Sequence, residues 1–193
     1  MGNQPSVDRL FVMRVLWGAL CFSVVVYPGI LVLTGHSQPG PREPDQVMVN
    51  ALSAMACVMT AMSLLFPRAL FARAAKAAAD GLFREEREAV DGGQHGFREV
   101  ATSVMVRSFT DPAAAETKAF AVFNTRLILE LAFAEAIANF GFVLGFLGLG
   151  VVRVLPFFFV ALVLQLLRFP TRNGVLSAFE EATGARFAGQ RTE

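Results

Sequence analysis

Four long apolar runs dominate the pattern of hydrophobic and polar positions along the chain. They cover residues 15–34, 47–66, 127–149 and 151–167. A helix needs ~20 predominantly apolar residues, at ~1.5 Å each, to cross the hydrocarbon core of a bilayer. The first three runs meet that length, whereas the fourth is shorter and carries Arg153 and Pro156 near its start. The pattern predicts an all-α, polytopic membrane protein with a bundle of four transmembrane helices.

The segment between the second and third runs also has helical periodicity. Apolar residues recur at spacings of three and four over residues 71–82 and again over residues 97–105. These two stretches predict amphipathic helices separated by the break at Gly92. Asp111 followed by Pro112 is a helix start signal, and no breaker follows before the membrane run. The third transmembrane helix is therefore expected to begin outside the membrane.

The end of the chain carries one more amphipathic pattern. Thr171 is expected to cap a short helix whose apolar face is Val175, Leu176 and Phe179, with Gly184 ending it. This helix is expected to lie at the membrane surface.

The basic residues predict the orientation of the four crossings. Of the 17 Lys and Arg residues, only Arg42 and Arg153 fall in the two short loops that share one side. The positive-inside rule then places both termini in the cytoplasm, and we expect a bacterial inner-membrane protein. The chain divides into a transmembrane hairpin (1–66), a cytoplasmic helical insertion (67–126), a second hairpin (127–170) and an amphipathic tail (171–193).

Composition agrees with a membrane protein and excludes several functions. The chain is 54% apolar and 17% charged, with a mean hydropathy of +0.52. The chain has no basic tract with interleaved aromatic residues, so the sequence does not predict nucleic-acid binding. The two cysteines and two histidines show no metal-ligand spacing, and no nucleophile or phosphate-binding motif is present. We therefore expect no cofactor, no metal site and no enzymatic activity.

The acidic residues of the third run are the main candidates for chemistry. Glu135 lies about 12 Å inside that run at the rise of an α-helix. A carboxylate at that depth costs at least a few kcal/mol unless it is protonated, paired or facing a polar cavity. Asn139, four residues on, is expected to hydrogen-bond to Glu135. Glu130, nearer the interface, is expected to pair with Arg126 and to matter less.

Small and polar residues on two runs predict helix packing. In the third run, Glu130 shares a narrow stripe with small residues, namely Ala134, Ala138, Gly141, Gly145 and Gly148. The second run carries a polar seam at steps of three and four, formed by Asn50, Ser53, Cys57, Thr60 and Ser63. We expect this seam to pack near the acid-bearing helix.

The residues around Glu135 resemble a known ion-binding helix. Residues 126–147 carry Leu-Ala-Phe-Ala-Glu-Ala with Gly141 six residues past the Glu. This stretch resembles the carboxylate-bearing helix of the proteolipid c subunit of rotary ATP synthases, over about 25 residues. The resemblance implies that Glu135 binds a transported proton or cation. The other runs lack that family's repeated Gly-x-Gly pattern, and its short hairpin loop is replaced by some 60 residues.

Two functions remain open from the sequence. The chain is expected to be a small membrane subunit that binds a proton or cation at Glu135, with Asn139 and Glu130 nearby. The alternative is a structural or scaffolding subunit, with Glu135 permanently protonated as a helix-packing group. In both cases the partners are the lipid bilayer and either further copies of the chain or a larger membrane complex.

Overall fold

The structure is a computed structural model that describes residues 5–35, 45–89 and 103–187. The described chain is mostly helical. Its helices are α1 (Pro5–Gly35), α2 (Gln46–Ala79), α3 (Pro112–Leu144), α4 (Val151–Leu166) and α5 (Arg172–Thr183). A π-helical turn, Gly145–Leu149, joins α3 to α4. Three short strands complete the fold, β1 (Phe83–Ala89), β2 (Ser103–Phe109) and β3 (Ala185–Arg186).

Helix α3 lies at the centre, and the other long helices alternate in direction around it. Helix α1 runs parallel to α3, because Arg9 meets Thr117 near one end and Leu31 meets Gly145 near the other. Helix α2 is antiparallel to α3, as the ring contacts Phe71–Phe123 and Phe66–Phe133 show. Helix α4 returns antiparallel along the second half of α3, with Phe157 beside Gly141 and Gln165 beside Glu135. The beginning of α1, the end of α2, the beginning of α3 and α5 therefore share one end of the bundle.

Within the described part of the chain, three helices are long and apolar enough to cross a membrane, by length and composition. They are Arg9–Thr34, Gln46–Ala79 and the continuous stretch Pro112–Leu149. The fourth predicted crossing, α4, is apolar but spans only 16 residues. Many large apolar side chains on these helices face outward, as they do when lipid replaces water as the solvent.

Two long helices run through the domain boundaries that the sequence suggests. Helix α2 continues past residue 66, through a buried Pro67, so the transmembrane helix and the first predicted amphipathic helix are one element. It ends at Ala79, where the chain turns through Gly81 at a φ of 75°. Helix α3 passes residue 126 without a break. Its predicted start is confirmed, because the Asp111 carboxylate accepts hydrogen bonds from the amides of Ala113 and Ala114.

A three-stranded sheet stands where the sequence predicts only helices. Strand β1 pairs with β2 antiparallel, from Phe83 opposite Phe109 to Ala89 opposite Ser103, and β3 adds to β2 in parallel. The short helix predicted over residues 97–105 is wrong for residues 103–105, which belong to β2. Residues 97–102 lie outside the described part of the chain. Residues 104–106 are all apolar, so the alternation of polar and apolar residues that is typical of a strand is missing there, and the helical spacing gave the wrong prediction.

Helix α5 packs onto the sheet and the ends of α2 and α3. Thr171 caps it as predicted, accepting from the Gly174 amide, and Gly184 ends it in the left-handed conformation. The predicted apolar face is buried, with Phe179 stacked near Phe109 and Phe187. In the structure this face is covered by protein, so it does not supply an apolar surface to the membrane. The sheet, α5 and the helix ends form one hydrophobic core at this end of the bundle.

Candidate functional site

Glu135 lies in the last third of α3 and is held by two other helices. Its Oε1 accepts hydrogen bonds from the Ser23 hydroxyl at 2.8 Å and the Tyr27 hydroxyl at 2.7 Å, both from α1. Its Oε2 accepts from the Gln165 amide of α4 at 3.3 Å. Ser23 and Tyr27 are four residues apart, so one helix turn directs both hydroxyls to the same carboxylate. Glu135 itself is half-buried.

Gln165 is fully buried and only partly satisfied. Its side chain has no exposure, and its Oε1 has no hydrogen-bond partner in the described structure. The Trp17 ring nitrogen donates to its backbone carbonyl at 2.7 Å, which fixes this end of α4 against α1. A buried acceptor without a partner is costly, so the Gln165 amide can stabilise a proton donor or a cation that comes to it.

The Ser23 hydroxyl faces two acceptors with one proton. It lies 2.7 Å from the Leu20 carbonyl as well as 2.8 Å from Glu135. When the carboxylate is ionised, Ser23 donates to it. When the carboxyl carries a proton, that proton can be donated to Ser23, and Ser23 then donates to Leu20. Tyr27 and Gln165 donate to carboxyl oxygens in both cases, so the site accommodates both charge states without moving a backbone atom.

Aromatic rings enclose one side of the site. The Tyr27 ring lies 5.2 Å from the Phe142 ring and 6.4 Å from the Phe158 ring. The two phenylalanine rings place apolar surface around Tyr27, whose hydroxyl donates to Glu135.

Asn139 lies apart from Glu135. The side chain of Asn139 is exposed on the outer face of α3, and no hydrogen bond joins it to Glu135 in the described structure. The residues one turn past Glu135 that face the bundle are Ala138 and Ile137. The i+4 spacing placed Asn139 near Glu135 along the helix, but partners from other helices fill that position.

Glu130 belongs to a second, separate cluster near the end of α4. It pairs with Arg126 at 3.0 Å, as its spacing predicts, and also with Arg168 at 3.4 Å. The Arg168 guanidinium donates to the Ser63 hydroxyl and carbonyl and to the Glu130 carbonyl, at 2.8–2.9 Å. Burial lowers the pKa of Arg168 and the Glu130 charge opposes that effect, yet an arginine starts so far above neutrality that it stays protonated. The cluster ties α2, α3 and α4 together.

The small residues of α3 lie where neighbouring helices approach. Ala134 and Ala138 are fully buried. A Cβ at Gly141 would lie 2.6 Å from the Phe157 Cβ of α4, and one at Gly145 would collide with Leu31 of α1. Gly148, in the π-helical turn, has a φ of 100° and an exposed position. Gly148 therefore allows the backbone to turn into α4, whereas Gly141 and Gly145 allow α4 and α1 to approach α3 closely.

The polar seam of α2 does not reach Glu135. Asn50 and Cys57 are exposed, Ser53 and Thr60 are half-buried, and Thr60 bonds to the Ala56 carbonyl of its own helix. Ser63 is the seam residue that is buried against α3, where it meets Glu130 and Arg168. Helices α1 and α4 supply the hydrogen-bond partners of Glu135.

Three residues of the site were not singled out from the sequence. Tyr27 is the one tyrosine of the chain, and Ser23 and Gln165 are polar residues inside apolar runs. A polar residue inside an apolar membrane run indicates a polar contact within the bundle, so these three residues could have been found from the sequence. Which helix faces Glu135, however, is a tertiary property that spacing within one helix does not contain.

Among the described residues, no group of three or more His, Cys, Asp or Glu side chains is arranged to hold a metal ion. No protein-family model matches the sequence, and no curated protein or solved structure matches it either. The likeness of residues 126–147 to the proteolipid helix therefore rests on those residues alone.

Proposed function

We propose that this chain is a four-span membrane subunit whose Glu135 binds and releases a proton or a monovalent cation, as part of a larger membrane assembly. Both termini lie in the cytoplasm in this proposal. The alternating helix directions support it, because they gather the basic end segments on one side of the bundle. The antiparallel return of α4 along α3 supports a fourth crossing.

The single observation that carries the proposal is the hydrogen-bonding around Glu135. A carboxyl group that served only to hold helices together would need hydrogen-bond partners for one protonation state. Ser23 is instead placed between Leu20 and Glu135, so its one proton can serve either acceptor. The proton therefore has a satisfied position when it is bound, and the carboxylate keeps three donors after it leaves.

A cation is the second possible occupant. Rotation of the Gln165 amide would turn its unpartnered Oε1 toward Glu135 and give two oxygen ligands beside the Ser23 and Tyr27 hydroxyls. The single carboxylate charge balances a monovalent ion. Oxygen ligands suit hard cations and not the softer transition metals.

Membership of an assembly is supported by the outer face of α2. Asn50 and Cys57 are exposed there, at membrane level, together with Ala54 and Ala61. Polar and small residues of this kind are favoured at contacts between transmembrane helices. A further copy or another subunit would cover them.

A structural role for Glu135 is the alternative, and one observation favours it. The carboxylate joins α3 to α1 and α4 through three hydrogen bonds, so a permanently protonated Glu135 would still hold the helices together. The two roles differ in whether the proton leaves.

Labelling with a hydrophobic carbodiimide distinguishes these roles, because the reagent modifies protonated carboxyl groups. We expect labelling of the purified protein in vesicles to fall as pH rises, and to disappear in Glu135→Gln. Glu130→Gln should leave the labelling in place, since Glu130 is paired with two arginines. Protection by Na⁺ at fixed pH would identify a cation as the occupant.

Glu135→Gln has a further expected result. Gln keeps the shape and much of the hydrogen bonding of a protonated Glu but cannot release a proton, so the bundle should assemble while pH-dependent ion binding is lost. The structural role would be favoured if labelling of the native protein were constant from about pH 5 to about pH 9, roughly the range in which raised carboxyl pKa values fall. The stability of the Gln variant would then also be unchanged.

The topology is tested independently of the site. A reporter fused after Glu193 and one inserted at Gly92 should both report cytoplasm, while one inserted at Gly40 should report the opposite side. The reason is the placement of 15 of the 17 basic residues. Opposite signals from the Glu193 and Gly92 positions would mean an odd number of crossings between them.

A further inference from the structure

A cavity of about 260 Å³ lies between α2 and α3. It is lined by Pro67, Phe71 and Ala74 of α2 and by Ala121, Thr125 and Arg126 of α3. Ala74, Ala121 and Thr125 are exposed, so the cavity opens to the surroundings of the bundle. Arg126 stands directly before the apolar run 127–149, which places the cavity where the membrane core is expected to begin.

The walls of the cavity are mostly apolar and its one charged group is a guanidinium. Arg126 packs on the rings of Phe71 and Phe123, with its Cζ atom 5.1 and 5.7 Å from their centroids. Its Nε donates to Glu130, and its terminal nitrogens form no hydrogen bond within the described part of the chain. The aromatic contacts hold the guanidinium in place at the cavity wall.

The charges next to this cavity are unbalanced. Glu130 pairs with both Arg126 and Arg168, so among the described residues two guanidinium groups share one carboxylate. Of these two arginines, Arg126 lines the cavity. The cluster therefore keeps an excess of positive charge beside an apolar, open cavity.

We propose that this cavity binds the headgroup of an anionic phospholipid of the adjoining leaflet, with its phosphate on Arg126 and its acyl chains along the apolar faces of α2 and α3. Basic pockets between transmembrane helices recognise acidic lipid headgroups in this way. The inference rests on the membrane localisation but not on ion binding at Glu135. A free phosphate ion would find the positive charge but gain nothing from the apolar walls.

Native mass spectrometry of the full-length protein, with phosphatidylglycerol or phosphatidylcholine added to the detergent, tests this proposal. We expect phosphatidylglycerol to bind at least about fivefold more tightly, which is the contribution of one basic residue near an anionic surface. Arg126→Gln should remove most of that preference. Arg153→Gln, the same charge change at the other end of the bundle, should preserve it.

A charge-neutral pair of variants guards against a general loss of structure. Ala74→Phe fills the cavity and should weaken phosphatidylglycerol binding, whereas Ala69→Phe, on the opposite face of α2, should not. Equal binding of the two lipids would overturn the proposal. So would unchanged binding in both Arg126→Gln and Ala74→Phe, or competition by millimolar inorganic phosphate, which would identify a free anion as the ligand.

Discussion

Replacing Arg168 with methionine is expected to lower the free energy of unfolding by about 3–5 kcal/mol, the cost of breaking a buried ion pair from one side. Arg168 pairs with Glu130 and donates to Ser63 and to two backbone carbonyls. Methionine fills much of the same space but leaves these acceptors without their donor. Denaturant titration of the protein in mixed micelles measures the change.

Arg172→Met is the matched control, because it removes an arginine whose ion pair is exposed. Arg172 forms two hydrogen bonds with Glu116, at 2.9 and 3.0 Å, yet more than half of its side chain is accessible. Such pairs contribute about 0–1 kcal/mol. If both variants lost the same small amount, the Arg168 cluster would not be holding α2, α3 and α4 together.

Gly141→Leu is expected to separate α3 from α4 and to destabilise the bundle by at least about 1–3 kcal/mol, the usual cost of overpacking. The added Cβ alone would lie 2.6 Å from the Phe157 Cβ, so the helices must move before the rest of the side chain fits. Gly145→Leu should behave similarly through its collision with Leu31. Thermal stability in detergent, followed by size exclusion, reports both effects.

Ala132→Leu is the control for these glycine variants. Ala132 is exposed on the same helix, so a larger side chain there points away from the bundle and should be tolerated. Phe142 is unsuitable as a control because its ring packs on Tyr27. Equal loss in Ala132→Leu and Gly141→Leu would mean that α3 tolerates no added volume anywhere, and the close approach to α4 would not be the cause.

The Arg168 cluster and the Glu135 site are expected to fail separately. Arg168→Met acts on the helix junction, and Glu135→Gln leaves that junction unchanged, since no described residue contributes side-chain hydrogen bonds to both. Loss of ion binding with normal stability in Glu135→Gln would therefore place ion binding at Glu135. Loss of lipid preference with normal ion binding in Arg126→Gln would place lipid binding at Arg126.

Local sequence patterns determined most of the helices. Apolar runs longer than a bilayer core predicted the long helices, and an acid followed by proline marked the start of α3 because its carboxylate caps the first amides. Thr171 and Gly184 bounded α5 for the same local reasons. The Arg126–Glu130 pair followed from the geometry of one helix turn.

The sheet is an example of what local patterns missed. Residues 83–89 and 103–109 pair as consecutive antiparallel strands. A short amphipathic spacing is compatible with helix or strand until the partner is known. The packing of α5 against that sheet and against the ends of α2 and α3 likewise depends on residues distant in the sequence.

The sequence by itself determined that Glu135 lies inside an apolar helix and needs polar partners there, because a buried carboxylate is costly without them. Only the tertiary structure decided which residues are those partners. The nearest candidate along the chain, Asn139, is on the outer face, and the polar seam of α2 is directed elsewhere. Ser23, Tyr27 and Gln165 meet Glu135 because α1 and α4 pack against that face of α3, and helix packing is fixed by the fit of whole surfaces and not by the spacing of residues within one helix.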